Sequence, residues 1–365
     1  MTQNTKDAVL KKPQGSFDKK EMMAAVTYGT QDLKIESVPV PEIKDNEVLI
    51  KVKACGICGT DPHIYNGHFP APKPLIQGHE FAGEIVKIGS SVTSVSEGDR
   101  VTADINISCG NCYYCQTGQK LFCEKITQLG VHINGAFAEY INAPENNVYK
   151  LPEAMSWEEG AYIEPLACVI RGQERANVGM GDTVAIIGAG PMGLAHAIMA
   201  KLNGASKVIL SEMNKTRLQK AKELGVDIVI DASETDPVQE VFNFTEGRGA
   251  DVVFEVVGAI PTYQQALQMV RKGGTLVAYG AAPADKVMEI KPFDIFSKEL
   301  TIVGSYAGTY GTWTKAIQLI SSKRFNPKDI FSKTITLDQL EEGIKEADQN
   351  KDTIKILVNV NQDYF

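Results

Sequence analysis

The chain runs to 365 residues with a formal net charge of −8, 43% hydrophobic residues and seven cysteines. The length suits two domains rather than one core, and the acidic balance with no basic block excludes a protein built mainly to grip nucleic acid. No stretch approaches the run of ~20 apolar residues that spans a bilayer, so neither a nucleic acid nor a membrane is an expected partner.

Residues 1–21 are polar and Lys-rich and read as a flexible lead-in without the apolar core of an export signal. The expected compartment is therefore the cytoplasm. An odd number of cysteines there argues against a disulfide framework. Six of the seven fall into two tight clusters, at 55 and 58 and at 109 to 123. That is the pattern of metal ligands.

From Met22 onward the chain reads as short strands, at Met22–Thr27, Leu33–Val38, Glu47–Val52, Phe81–Ile88 and Phe137–Ile141, broken by Pro- and Gly-rich turns. This is the rhythm of a β-barrel or sandwich. Near residue 180 it changes. Val184–Ile187, Val208–Leu210, Val226–Ile230, Val252–Phe254 and Thr275–Val277 are short apolar runs alternating with helical patterns, one of them across Tyr263–Val270. Such alternation predicts a parallel sheet wrapped by helices. After Gly304 it stops. The tail predicts helices around Lys315–Ser321 and Leu337–Gln349 and a last strand at Ile354–Val360.

Gly188-Ala189-Gly190-Pro191-Met192-Gly193 follows a buried strand and opens a helix, and Glu212 ends the next strand 19 residues after Gly193. In that context G-x-G-x-x-G is a dinucleotide-binding turn. Gly188 makes the turn, Gly190 admits the pyrophosphate, and Gly193 lets helix and strand pack. The helix start at Pro191 and Met192 offers unpaired N–H groups to phosphates. A carboxylate at Glu212 would accept the ribose hydroxyls and repel a 2′-phosphate, favouring NAD over NADP. Lys215 and Arg217 nearby weigh against that preference.

Cys109, Cys112, Cys115 and Cys123 offer four thiolates within fifteen residues, enough to enclose one tetrahedral zinc with no position left for substrate. An iron–sulfur cluster is the rival occupant. Cys55-Gly56-Ile57-Cys58 is either a thiol pair or part of a metal site. A catalytic zinc needs three protein ligands and an open position, and Cys58, His79 and a carboxylate suffice. His63, His68, Glu80, Glu164 and Cys168 are the other candidates. His68, His132 and His196 read as ordinary loop and helix-face histidines.

These motifs together resemble the zinc-containing medium-chain dehydrogenase/reductase family, from about Met22 to Val360. Cys58-Gly59-Thr60-Asp61-Pro62-His63, Gly78–Gly83, the Cys109–Cys123 lobe, Gly135–Tyr140 and the Gly188–Gly193 turn carry the resemblance. It implies a GroES-like catalytic domain from residues 22–165 and 307–365 and a Rossmann coenzyme domain from 166–306. It also implies two zinc ions per chain, a small alcohol as substrate, and a homo-oligomer, tetramer or dimer.

By position, Cys58 and His79 look like ligands of the catalytic zinc, and Glu164 in Glu164-Pro165-Leu166 resembles the third ligand of the polyol and threonine dehydrogenases. Glu80 is the alternate carboxylate, and Cys55 and Cys168 fall outside the ligand set. Thr60 and His63 match the family's proton relay, Lys355 is expected near the pyrophosphate, and Arg217 is expected among the coenzyme-binding residues. The implied reaction is NAD-linked oxidation of a secondary alcohol, first a polyol, sugar alcohol or its phosphate, then L-threonine or a diol of the butanediol type. The stretch Gly304–Tyr310 lacks an Arg that sorbitol and threonine dehydrogenases carry there, with Tyr306 and Tyr310 as the available hydroxyls. The readings from other classes are a metal-free reductase and a nucleotide-binding redox sensor using Cys55 and Cys58.

Overall fold

The computed structural model describes residues 17–361. Most of the expected lead-in lies outside them. Its last part is already fixed: Phe17 packs edge-on against Tyr140, with centroids 5.1 Å apart, and Lys19 pairs with Glu139 at 2.9 Å.

Two sheets organise the molecule. In the catalytic half, the strand Glu47–Gly56 is flanked by antiparallel Glu80–Ile88 and Lys355–Asn359. Gly56 pairs with Glu80 on one side and with Leu357 on the other. That register gathers the segment after Gly56, the segment around Glu80 and the start of the last strand at one end of the sheet. Val48, Ile50, Val52, Phe81, Ile85, Ile356 and Val358 fill the core of this half.

The second sheet has six parallel strands in the order Ile228–Asp231, Lys207–Glu212, Thr183–Ile187, Ala250–Glu255, Val270–Ala278, Thr301–Gly304. Reading the strands in sequence gives the order 3-2-1-4-5-6 of a Rossmann fold, whose reversal point opens a crevice at the carboxyl ends of the strands. Val184 and Ile186 pack on one face of this sheet and Ala185 and Ile187 on the other. Their continuous apolar run is what a strand covered on both faces requires.

The helix Ile163–Ala176 crosses the boundary expected at residue 165. Leu166, Ile170 and Ala176 join one core with Val184 and Leu194 of the coenzyme half and with Trp313 and Ile320 of the tail helix Tyr310–Ser321. The two halves therefore share packing at this seam. Ile163, Leu166, Ala167, Ile170 and Gln173 form its buried face at helical spacing, and Pro165 is tolerated in the first turn.

Other elements differ in extent. Phe137 and Ala138 precede the strand Tyr140–Pro144; Phe137 instead exchanges backbone bonds with Gln77 and Ala25. The third parallel strand begins at Ile228. The helix Ile260–Met269 ends where Val270 starts a strand. A further strand, Phe331–Thr336, runs parallel to Lys355–Asn359 through the helix Leu340–Gln349. Among the described residues no helix is long and apolar enough to cross a membrane.

Candidate active site and metal centres

Cys58 lies just beyond the strand Glu47–Gly56, where its N–H donates to Asp61 Oδ2 at 2.8 Å. That bond ties the loop to the first turn of the helix Thr60–Tyr65. The Cys58 thiol donates to the Thr60 hydroxyl oxygen at 3.7 Å. His63 is one turn further on and exposed, with its ring 6.3 Å from that of His68. His79 enters the strand Glu80–Ile88 after Gly78, whose φ of +90° suits glycine and whose space a Cβ would share with the Phe137 ring at 2.8 Å.

The ligand atoms of Cys58, His79 and Glu80 lie within 4.8 Å of one another. His79 Nδ1 and Asp61 Oδ1, 4.0 Å apart, are both buried without a hydrogen-bond partner. Burial resists charge on His79, but Cys58, Asp61 and Glu164 outweigh it and hold the imidazole well above its ordinary value. Burial pushes the Asp61 carboxyl up to about 6, against the pull of His79. A thiol, an imidazole and carboxylates crowded at such close range fit a divalent cation of the zinc type, which would relieve this imbalance.

Glu164 occupies the first turn of the helix Ile163–Ala176, buried. It stands outside the three-residue convergence but close enough for His79 and Glu80 to act on it. Burial raises its carboxyl to about 7. Cys168, one turn along, donates its thiol to Glu164 Oε1 at 3.2 Å. Lys355 is buried at the sheet end, with its ammonium on Glu80 Oε2 and on the Ile57 carbonyl at 2.9 Å. Gly56 carries no side chain where a Cβ would meet Glu80 Oε2 and, at 3.1 Å, Lys355 Cε. Gly56 and Asp61 were not singled out in the sequence; their signal was a glycine within C-x-x-C and an Asp three residues after the candidate ligand Cys58. Cys55 is wholly buried.

The second cluster forms a separate lobe. Cys112 and Cys115 sulfurs are 3.5 Å apart and those of Cys109 and Cys115 4.0 Å, while Cys123 Sγ accepts from the backbone N–H of Cys109 at 3.3 Å and of Lys125 at 3.4 Å. Backbone N–H groups of Cys115 and Glu124 bring Cys112 down to about 6. All four sulfurs converge within 4.8 Å, and all seven cysteines are free thiols. The array fits one tetrahedral ion with no position left over.

At the crevice of the parallel sheet, Gly188 has φ +105°, and a Cβ there would strike Val257 at 2.8 Å. A side chain at Gly193 would collide with the Gly188 carbonyl, so helix Pro191–Leu202 begins tight against the turn. Gly190 caps that helix, and near it only Arg217 Nη1 approaches, at 3.7 Å from where a Cβ would be. Pro191 and Met192 begin the helix beside this opening.

Glu212 is pinned by backbone donors on both sides of the turn: Ala189 N to Oε2 at 2.8 Å, and Met213 N and Asn214 N to Oε1 at 2.8 and 3.0 Å. Lys215 is drawn away from Glu212 toward Asp231 and Glu234. Arg217 donates Nη2 to the Thr353 carbonyl at 3.2 Å, so the segment from Thr353 to Lys355 runs between the glycine turn and the metal cluster.

His196, read as a helix-face residue, is fully buried, between Phe254 and Tyr279 with Gln173 3.1 Å from Nδ1. His132 Nδ1 accepts from Gln128 N at 3.2 Å.

Residues 44–153 match the alcohol dehydrogenase GroES-like domain and residues 191–322 the zinc-binding dehydrogenase domain. The chain is 37% identical to sorbitol dehydrogenase of Bacillus subtilis (strain 168), over 93% of this chain and 98% of that protein. It is 36% identical to L-threonine 3-dehydrogenase of Bacillus licheniformis, over 87% and 92%. A zinc-binding dehydrogenase of Sinorhizobium meliloti 1021 bound to NADP superposes with TM-score 0.90 at 35% identity, covering 94% of this chain and all of that one. A GroES-like half carrying two thiol-rich centres, joined to a Rossmann half with its glycine turn, places this chain in the zinc-binding alcohol dehydrogenase family.

Proposed function

We propose that the protein oxidises a secondary hydroxyl of a polyol to the ketone, reversibly, with NAD as hydride acceptor. The observation that carries the reading is the convergence of Cys58, His79 and Glu80, faced by buried Glu164 and Cys168, beside the coenzyme turn. Cys58, His79 and a carboxylate from Glu80 or Glu164 would hold the catalytic zinc. When bound, zinc supplies a Lewis acid that lowers the pKa of a substrate hydroxyl, and the nicotinamide supplies the hydride acceptor.

The chain's own residues do the rest. Thr60, at the helix start beside Cys58, accepts the substrate hydroxyl's proton as its own hydroxyl proton moves on, and exposed His63 one turn on passes a proton to water. Lys355 balances the charge of Glu80. Arg217, beside Gly190, supplies positive charge for the pyrophosphate, while the buried Lys355 ammonium is engaged by Glu80 and the Ile57 carbonyl instead. Glu212, held by three backbone donors, faces the ribose and disfavours a 2′-phosphate; the engagement of Lys215 with Asp231 and Glu234 supports NAD over NADP. Cys109, Cys112, Cys115 and Cys123 hold the second, structural zinc.

The reading keeps the protein in the cytoplasm, supported by its free thiols. A homo-oligomer is supported by the coenzyme sheet itself. Among the described residues its last strand, Thr301–Gly304, pairs on one side only, and Phe293, Phe296 and Ile302 are exposed nearby. An open edge beside exposed apolar groups favours pairing with a second copy.

NADH formation by zinc-replete protein, across polyols, polyol phosphates, simple alcohols, 2,3-butanediol and L-threonine, tests the proposal. Chelator-sensitive turnover of polyols supports it. Faster turnover of threonine than of any polyol overturns the substrate assignment.

A further inference from the structure

We propose that Tyr306 is a specificity-determining residue: its phenol oxygen accepts a hydrogen bond from a substrate hydroxyl away from the reacting carbon, so the site selects a neutral polyol over its phosphate ester. The inference rests on the dehydrogenase reading above.

A buried charge anchors Tyr306. Asp104 is fully buried, and its Oδ2 receives the ammonium of buried Lys120 at 2.5 Å. Its Oδ1 receives Asn106 N and Asn106 Nδ2, each at 2.9 Å. A carboxylate only accepts, so the amide of Asn106 must point its nitrogen to Asp104 and its oxygen away. That oxygen accepts Gln128 Nε2 at 2.7 Å, which leaves Gln128 Oε1 to accept the Tyr306 hydroxyl at 3.1 Å. Every donor and acceptor along Lys120, Asp104, Asn106, Gln128 and Tyr306 is thereby fixed in one direction. The only proton on the Tyr306 oxygen is committed to Gln128. What remains free on that oxygen is lone-pair density, so Tyr306 meets any ligand as an acceptor.

Its position makes this matter for specificity. Tyr306 stands just past the edge strand of the coenzyme sheet and is 54% exposed, whereas Gln128 belongs to the catalytic half. Their bond spans the cleft between the halves. Two residues on, Gly308 lies against the helix that carries Glu164 and Cys168: a Cβ there would meet Ala167 Cβ at 3.0 Å. The loop bearing Tyr306 is thus packed beside the active-site carboxylate, and Cys168 and Glu164 add to the burial that raises its phenol. Lys120, which anchors the chain of bonds, stacks over Tyr310 at 4.1 Å and thus holds the same loop from its other end.

A polyol brings hydroxyl donors to such an acceptor. A phosphate monoester brings an acceptor-rich dianion, which would face the Tyr306 lone pairs and the Glu164 carboxylate together. One neutral hydrogen bond corresponds to about a threefold to tenfold change in affinity.

The test compares kcat/KM for sorbitol, sorbitol 6-phosphate and 2-butanol in the wild type, Tyr306→Phe and Gln128→Met, with NADH titrations confirming coenzyme binding in each. The wild type should favour sorbitol over its phosphate. Tyr306→Phe should lower the sorbitol to 2-butanol ratio by about threefold to tenfold, mostly through KM. Gln128→Met frees the Tyr306 proton to donate and should narrow the preference against the phosphate. An unchanged ratio in Tyr306→Phe, or a wild type that prefers the phosphate, overturns the inference while leaving the polyol reading standing. A wild type that oxidises 2-butanol but neither sorbitol compound overturns the polyol reading itself, and with it the role assigned to Tyr306.

Discussion

Gly56 and Glu80 face each other across two antiparallel strands, and a Cβ at residue 56 would fall on the Glu80 carboxylate. The missing side chain gives that carboxylate its place between Lys355 and the candidate ligands Cys58 and His79. Gly56→Ala should therefore displace Glu80 and weaken the catalytic metal by about 10- to 100-fold, the range found when a group supporting a ligand is disturbed. Metal analysis after dialysis should show one zinc retained, in the four-cysteine lobe, and the other lost. Retention of both ions at wild-type activity would show that Glu80 has no part in the site.

The pair Lys120 and Asp104 predicts a stability effect of known sign. Both groups are buried, so Lys120→Met leaves a carboxylate without its counter-charge. Removing one partner of such a pair costs about 3–5 kcal/mol. Denaturant titration of the single variant should show that loss, and the double variant Lys120→Met with Asp104→Leu should recover part of it. A single variant as stable as the wild type would show that Asp104 is held by Asn106 alone.

His196 predicts how stability responds to acid. Burial lowers its imidazole to about 3, while an unfolded histidine titrates near 6.5. Between those values the unfolded chain binds the proton and the folded chain does not, so this contribution is present above about 6.5 and falls as pH drops toward 3. The slope approaches about 1.4 kcal/mol per pH unit. Unfolding of wild type and His196→Leu, compared from pH 7 to pH 5, should give a flatter dependence for the variant. Parallel curves would place a proton on the native imidazole.

Glu212→Ala should shift coenzyme choice. On the proposed reading it removes the carboxylate that disfavours a 2′-phosphate and leaves Arg217 in place, so the NAD to NADP ratio of kcat/KM should fall by about tenfold or more, equivalent to about 1.4 kcal/mol. The variant also frees Ala189 N, Met213 N and Asn214 N, so its melting temperature should drop as well. A lower melting temperature with an unchanged ratio would make Glu212 a turn brace only.

Much of this architecture was legible in the residues. The glycine turn, Glu212 and the four-cysteine spacing are local patterns, and local patterns survive in one dimension. The alternating apolar runs gave the parallel sheet for the same reason. What the sequence withheld is non-local. Gly56 matters through a strand register that no spacing reveals, and Lys355 meets Glu80 because the strand Lys355–Asn359 returns beside Glu47–Gly56. The helix Ile163–Ala176 was obscured by Pro165, which reads as a breaker until it is seen to sit in the first turn. The direction of the bonds from Lys120 to Tyr306 follows from a buried carboxylate and could only be read once its neighbours were in place.

The central claim is that two metal centres divide their labour, one for chemistry and one for the fold. Its most direct test is zinc content, melting temperature and sorbitol-dependent NADH formation measured together on the wild type, Cys58→Ser and Cys112→Ser. The account predicts two zinc ions and chelator-sensitive turnover in the wild type. Cys58→Ser should keep one ion and its fold but lose turnover, and Cys112→Ser should lose the other ion and melt earlier. Full turnover by Cys58→Ser with both ions bound, or wild-type melting by a Cys112→Ser protein that has lost its metal, would contradict it.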